Sequence, residues 1–327
     1  MENNTLLQVE GLKTHFFTRH GIAKAVDGVD LTISRGEHLG IVGESGSGKS
    51  VTALSIMRLI RNPPGRIVEG EILFEGDELL SLSEKRMQNI RGGRISMVFQ
   101  DPINYLDPVM TVGNWVAESL SLHKGMNRQE AQEEACNLLR ILKVPSPENV
   151  MHAYPFELSG GMCQRVLIAT AISTQPALLI ADEATSALDV TVQASILRTL
   201  DELTVASGMA VLLTTHNMRV VRKACTRVMV MYAGRVVERC NTERLFENPM
   251  HPYSVGLLKA VPSLENRGQP LVPMKGESPL PTATIKGCAF YDRCRIRKPI
   301  CEEQRPPLQE VEPGHWSACL FPEQASG

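Results

Sequence analysis

Residues 43–50 read GESGSGKS, a match to the phosphate-binding pattern G-x-x-x-x-G-K-[ST]. The apolar run Leu39, Gly40, Ile41 and Val42 leads in as a strand, and Val51 to Leu59, with Leu54, Met57 and Leu59 apolar, leads out as a helix. Gly43, Gly46 and Gly48 let successive backbone N–H groups turn inward, making an anion nest at a helix start. Lys49 is placed to reach β- and γ-phosphates and the Ser50 hydroxyl to hold Mg²⁺, with Ser45, Ser47 and Val51 in the same nucleotide-contacting set. Asp182 and Glu183 follow the apolar run Ala177 to Ala181, which reads as a buried parallel strand. Such a strand delivers Asp182 to the sheet edge as an oxygen ligand for Mg²⁺, and Glu183 next to it as general base for an attacking water.

A second anion-binding helix start is visible at Ser159, Gly160 and Gly161, ahead of the helical stretch Gln164 to Ala171. Two remote phosphate sites in one domain are hard to use together. Four cysteines, Cys288, Cys294, Cys301 and Cys319, cluster late in the chain, while Cys136, Cys163, Cys225 and Cys240 are scattered. In a reducing compartment a terminal cluster points to metal before disulfides.

These groups must be held by a framework, and the patterning predicts one. Strand-like runs are expected at Leu6 to Val9, Val29 to Ile33 and Leu39 to Val42, and a second strand pair at Gly70 to Phe74 and Arg94 to Phe99. From about 110 to 175 the period is helical, clearest where Ala131, Ala135, Leu138, Leu139 and Leu142 share a face. Met209 to Leu213 reads as another buried strand. Strands alternating with helices imply a doubly wound α/β core with a helical insertion. After Glu247 prolines accumulate, at 249, 252, 262, 270, 273, 279 and 281, and a linker or wrapping segment is expected there.

The net charge of -2 over 327 residues offers no reason to expect nucleic acid as a partner. No apolar run approaches the ~20 residues that span a bilayer. The opening MENNTLLQVE has neither a basic flank nor an apolar core, so a cytosolic protein, or one held on a membrane from the cytosolic side, is expected.

Leu158 to Gln164, LSGGMCQ, resembles the signature LSGGQ of ABC-type ATPases, with Met162 in the usual Gln place. Gln100 in VFQDP resembles the family's Q-loop, Ser186 to Asp189 its D-loop, and His216 in TTH its switch histidine, all in the family's order. The resemblance implies an α/β fold: a P-loop NTPase core with an N-terminal antiparallel β subdomain, an inserted α-helical subdomain (about 101–175) and a Cys-containing C-terminal extension. It divides the chain into a nucleotide-binding domain, 1–247, and an extension, 248–327. It also resolves the two phosphate sites, since two such domains pair head to tail with each ATP between the loop of one and the signature of the other. Ser159, Gly160, Gly161 and Asp189 then contact a partner's nucleotide, His216 acts beside Glu183 and Lys49 in hydrolysis, and Gln100 joins Ser50 and Asp182 around Mg²⁺. In the family the region after Gln100 grips membrane permeases, and adenine stacks on an aromatic near the N-terminus; Phe16, Phe17 and His20 compete, and Phe16 is favoured. The chain departs from the family's usual residues at Ala184 (often Pro), Asn217 (often Asp) and Cys163 (often basic), none of them a catalytic group.

The segment HPYSVGLLKAVP, 251–262, resembles the stretch after the cassette in dipeptide and oligopeptide importer ATPases, as does the spacing C-x5-C-x6-C-x17-C. Four thiolates can hold an iron-sulfur cluster or zinc, or remain thiols or disulfides; some members of the group carry a 4Fe-4S cluster, so the resemblance points there. It implies an ATP-hydrolysing subunit, on the cytoplasmic face of the inner membrane, that powers peptide import. Its partners would be two permease subunits, a second ATPase forming a heterodimer (or a second copy) and an external solute-binding protein. The alternatives are the same subunit serving nickel, glutathione or another small solute, and a soluble ATPase acting on nucleic acid or ribosomes.

Overall fold

The computed structural model describes residues 4–184, 189–260 and 274–325. In chain order the strands are β1 (Thr5–Thr18), β2 (Gly21–Ser34), β3 (His38–Val42), β4 (Gly65–Phe74), β5 (Asp77–Glu78), β6 (Ile95–Val98), β7 (Leu178–Asp182), β8 (Ala210–Thr215), β9 (Arg227–Tyr232), β10 (Arg235–Asn241), β11 (Gln309–Glu312) and β12 (His315–Ser317). The helices are α1 (Lys49–Ile56), α2 (Glu84–Ile90), α3 (Pro102–Tyr105), α4 (Val112–Lys124), α5 (Arg128–Ile141), α6 (Pro147–Val150), α7 (Gly160–Ser173), α8 (Val190–Ser207), α9 (Met218–Ala224), α10 (Thr242–Glu247), α11 (Pro252–Lys259) and α12 (Ile300–Glu303). They fall into two compact units, one of residues 1–6, 33–37 and 81–212, the other of 7–32, 38–80 and 213–327. Among the described residues no helix is long and apolar enough to cross a membrane.

In the first unit β6 and β7 pair in parallel, from Ile95 against Leu178 to Val98 against Ala181. All five residues of β7 are buried, as a parallel strand covered on both faces requires. The helices between them form a layer of their own: α4 lies against α5 and α7, and α5 against α7. Asn127 and Glu130 close a capping box at the start of α5, whose buried stripe is Ala131, Ala135, Leu138 and Leu139, the face expected from the period.

In the second unit one sheet has the order β2-β1-β4-β5, and a five-stranded run has the order β11-β12-β10-β9-β3. β3 and β9 pair in parallel, Leu39 against Arg227 to Val42 against Val230. β10 pairs antiparallel with β9 and β12, and β12 with β11.

Two expectations are corrected. Residues 70–74 and 94–99 do not form a strand pair: β4 pairs antiparallel with β1 and β5, and β6 pairs in parallel with β7. Both segments are apolar enough to be strands, but their partners are set by which faces are covered in each unit, a property local pattern does not carry. The tail is also more regular than its prolines suggest, since after Glu247 it forms α11, α12, β11 and β12 and extends a sheet through β10. His315 explains the attachment: its Nε2 lies 2.7 Å from Glu238 Oε1, with both side chains fully buried, and the Ser317 hydroxyl donates to the Met250 carbonyl at 2.8 Å.

Candidate nucleotide site

The phosphate loop lies in the second unit, between β3 and α1. Its glycines are required by space as well as conformation. A Cβ on Gly43 would lie 2.3 Å from the Met231 carbonyl oxygen, and one on Gly48 (φ 107) 2.5 Å from the Ala25 carbonyl oxygen. Gly46 (φ 79) needs the left-handed region but faces open space. Gly48 is the N-cap of α1 and carries no side chain that could cap it, so the backbone of the loop forms the helix start directly. Lys49 is buried, and its ammonium donates to the carbonyls of Gly43 and Glu44 at 2.9 Å each. The Ser47 hydroxyl is buried without a hydrogen-bond partner, an arrangement that suits a loop built to enclose an anion. Ser45 is exposed, while Ser50 and Val51 are half-buried at the start of α1. These residues fit a nucleotide's phosphates.

His216 follows β8 in the same unit and is exposed. The next residue, Asn217, caps α9 through its side-chain oxygen, which accepts from the Arg219 N–H at 3.0 Å. Asn and Asp both perform that task, which accounts for the departure at this position. Phe16 is half-buried opposite Gly65 across the β1–β4 ladder, close enough that a Cβ on Gly65 would lie 2.8 Å from its ring. Phe17 is exposed and so is His20.

Gln100, Asp182 and Glu183 belong to the first unit. Asp182 ends β7, and both it and Glu183 are buried. Glu183 sits at φ 48, a left-handed conformation uncommon for a residue with a side chain, which turns the chain sharply at the strand end. Its Oε2 accepts a hydrogen bond from Gln100 Nε2 at 3.2 Å. Ser159 is the N-cap of α7, its hydroxyl accepting from the Met162 N–H at 3.3 Å, with Gly160 and Gly161 opening the helix. The Cys163 thiol is buried and donates to the Pro155 carbonyl at 3.4 Å, so this departure fills space beneath the turn. Asp189 caps α8, accepting from the N–H groups of Thr191 (3.0 Å) and Val192 (2.9 Å). Ser186 to Leu188 lie outside the described residues.

The four late cysteines surround one small apolar cavity, together with His251, Phe290 and Phe321. The Cys288 N–H donates to the Cys301 carbonyl at 2.8 Å, and the Phe321 N–H to Cys319 Sγ at 3.4 Å. Burial pushes the Cys288 and Cys294 thiols up, and that of Cys319 up to about 11. Among the described residues the one set of three or more His, Cys, Asp or Glu ligand atoms within 4.8 Å of one another is Glu238, Cys240 and His315. The four sulfurs are therefore not closed around a single ion, where tetrahedral zinc at ~2.3 Å would hold them about 3.8 Å apart. Four thiols lining one apolar cavity are the donor set that a metal cluster would use.

One set of residues escaped the sequence reading. Glu44, an unspecified position of the phosphate pattern, is held from outside the loop: its N–H donates to the Tyr253 hydroxyl at 2.8 Å, and its carboxylate accepts from Arg293 and Ser278. No local signal marks those partners.

Comparison with known proteins agrees with this geometry. Residues 26–186 match the ABC transporter family model, and residues 237–301 match the model of the oligopeptide/dipeptide transporter C-terminal region. The chain is 46% identical over 315 residues to a probable peptide ABC transporter ATP-binding protein of Sinorhizobium fredii, covering 96% of this chain and 94% of that one. It is 46% identical to the oligopeptide transport ATP-binding protein OppD of Salmonella typhimurium, covering 98% and 94%. Among solved structures, the dimeric ATP-binding cassette MJ0796 bound to ADP and phosphate superposes with a TM-score of 0.67 at 28% identity, covering 72% of this chain and 99% of that one. Nucleotide-loop geometry, fold and 46% identity over nearly the whole chain agree: the chain belongs to the ABC transporter ATP-binding proteins, in the oligopeptide and dipeptide branch.

Proposed function

We propose that this chain is the ATP-hydrolysing subunit of a peptide importer, with a nucleotide-binding domain over 1–247 and an importer-type extension over 248–327. ATP and Mg²⁺ are the ligands of an ABC ATPase. Gly43 to Val51 hold the phosphates, with Lys49 on the β- and γ-oxygens, and Ser50, Asp182 and Gln100 serve Mg²⁺. Glu183 orients and deprotonates the attacking water, and His216 steadies the γ-phosphate. Phe16 stacks on adenine. Ser159, Gly160, Gly161 and Asp189 act on the nucleotide of a paired cassette, so the chain works with a second ATPase, a related chain before a second copy, and two permeases fed by an external binding protein. The complex sits at the cytoplasmic face of the membrane.

The observation that carries this reading is the phosphate loop itself: a glycine cradle in which Cβ atoms at Gly43 and Gly48 have no room, a buried lysine and an unpartnered buried Ser47 hydroxyl, at a helix start whose N-cap is a glycine. Near full-length likeness to peptide-transport ATPases supports the cargo. Cys288, Cys294, Cys301 and Cys319 would hold a 4Fe-4S cluster, which supplies either a covalent cross-brace for the tail or an electron-carrying centre. The test is affinity purification from detergent-solubilised membranes, with co-purifying chains identified by mass spectrometry. Two multi-span permeases and a second ATPase are expected; recovery alone, or with ribosomes or DNA, overturns the transport assignment.

A further inference from the structure

The extension reaches the phosphate loop through one side chain. Arg293, the residue before Cys294, donates from Nη1 to Glu44 Oε2 and from Nη2 to Glu44 Oε1, both at 2.8 Å. This is a two-pronged fork-to-carboxylate pair, the geometry in which both partners lose orientational freedom. Unlike most surface pairs, it has one partner withdrawn from water: the arginine side chain is 5% exposed and the glutamate 32%. The guanidinium is fixed on other sides as well. Nε donates to the Lys275 carbonyl at 3.2 Å, Nη1 to the Ser278 hydroxyl at 3.2 Å, and its carbon lies 5.7 Å from the Tyr232 ring centre and 5.8 Å from that of Phe290. Ser278 in turn donates to Glu44 Oε2 at 2.7 Å.

On the loop side, Glu44 is no peripheral residue. It follows Gly43, whose carbonyl, with that of Glu44, holds the Lys49 ammonium. The Glu44 N–H is taken up by Tyr253, from α11 at the start of the extension. The second loop residue is thus gripped at both its backbone and its carboxylate by groups of the extension. A shift of the Glu44 backbone would move the two carbonyls that set the position of Lys49.

We infer that Arg293 is a positioning residue for nucleotide binding: by clamping Glu44 it holds the phosphate loop in its ligand-ready shape, so the fold of the cysteine-bearing tail sets the affinity for MgATP. The inference rests on the nucleotide reading of residues 43–51 and adds a regulator to it. Coupling between two sites is reciprocal, so bound MgATP must stabilise the tail segment around Arg293 by the same factor that the tail lends to binding.

The test is calorimetric titration of the full-length chain with MgATP. Arg293→Ala is expected to raise the Kd about tenfold, as loss of a charge-assisted pair predicts. Glu44→Gln should raise it comparably, and the double variant should be no worse than either single one, because both changes remove the same link. Arg293→Lys, which keeps the charge and loses the fork, should recover part of the affinity. Amide exchange supplies the reciprocal readout: MgATP should slow exchange over 275–278 and 290–294 in the wild type and leave it unchanged in Glu44→Gln. If Arg293→Ala fails to fold, Glu44→Gln reports the same pair from the loop side. Wild-type affinity in folded Arg293→Ala or Glu44→Gln, or additive losses in the double variant, overturns the clamp. A wild-type chain that binds no MgATP, or whose binding is untouched by Lys49→Ala, overturns the nucleotide reading instead.

Discussion

The carboxamide nitrogen of Gln100 lies 3.2 Å from Glu183 Oε2, a hydrogen bond between residues 83 positions apart in one unit. The acceptor stands at φ 48, immediately after the buried strand that ends in Asp182. The left-handed turn and the amide contact fix the direction of this carboxylate, as its proposed role as a water-activating base requires.

Glu183→Gln should therefore bind MgATP and hydrolyse it at least ~100-fold more slowly, the loss expected for a positioned base. Gln100→Ala, which leaves the carboxylate, should cost less. Phosphate release measured alongside filter binding separates the two effects. Near-normal turnover in Glu183→Gln would remove it from the chemistry.

The glycines of the loop differ in what they tolerate. Gly48→Ala brings a Cβ within 2.5 Å of a backbone oxygen at φ 107, whereas Gly46→Ala at φ 79 meets nothing within 4 Å. Gly48→Ala should abolish measurable MgATP binding; Gly46→Ala should cost about 1 kcal/mol in stability from its backbone conformation. Equal effects in calorimetry and thermal melts would contradict the steric argument.

The His315–Glu238 contact should carry much of the attachment of the tail. His315→Ala leaves a buried carboxylate with one partner fewer and a void in its place, a loss of about 3 kcal/mol. Denaturant unfolding followed by circular dichroism measures it. A change below about 0.5 kcal/mol, the range of ordinary surface substitutions, would mean that the pairing of β10 with β12 holds the tail without this contact.

Cys225 supplies a pH signature. Burial pushes its thiol from 9.0 up to about 12. Below pH 9 the thiol is protonated in both states and contributes its full share of stability; between 9 and 12 the unfolded chain ionises while the folded one stays neutral, so stability falls as pH rises. Cys225→Ser does not titrate there. Its melting-temperature deficit relative to wild type should shrink between pH 8 and about pH 10.5, and a constant deficit would mean that the thiol ionises equally in both states.

Anaerobically purified protein should be brown with about four irons per chain. Cys294→Ser should lose that absorbance. Colourless wild-type protein without iron would eliminate the cluster and leave the four thiols as apolar packing around their cavity.

The sequence alone settled the parts of the site whose geometry is local. GESGSGKS needs only glycine freedom and a neighbouring helix start, and the run Ala177 to Ala181 before Asp182 needs only burial on both faces, so residue type and spacing suffice for each. The signature turn at Ser159 was legible for the same reason, as a capping residue followed by glycines. What lay beyond it are choices among distant partners. Nothing near Gly70 or Arg94 says that their strands pair with β1 and β7 and not with each other. The Pro-rich tail concealed two strands because their pairing is stabilised by Glu238 and His315, 77 residues apart. Arg293 reaches Glu44 across 249 residues, and neither belongs to a pattern that names the other. Backbone preference acts over a few residues, whereas burial and charge pairing depend on what the folded chain brings together, and only the tertiary structure decides that.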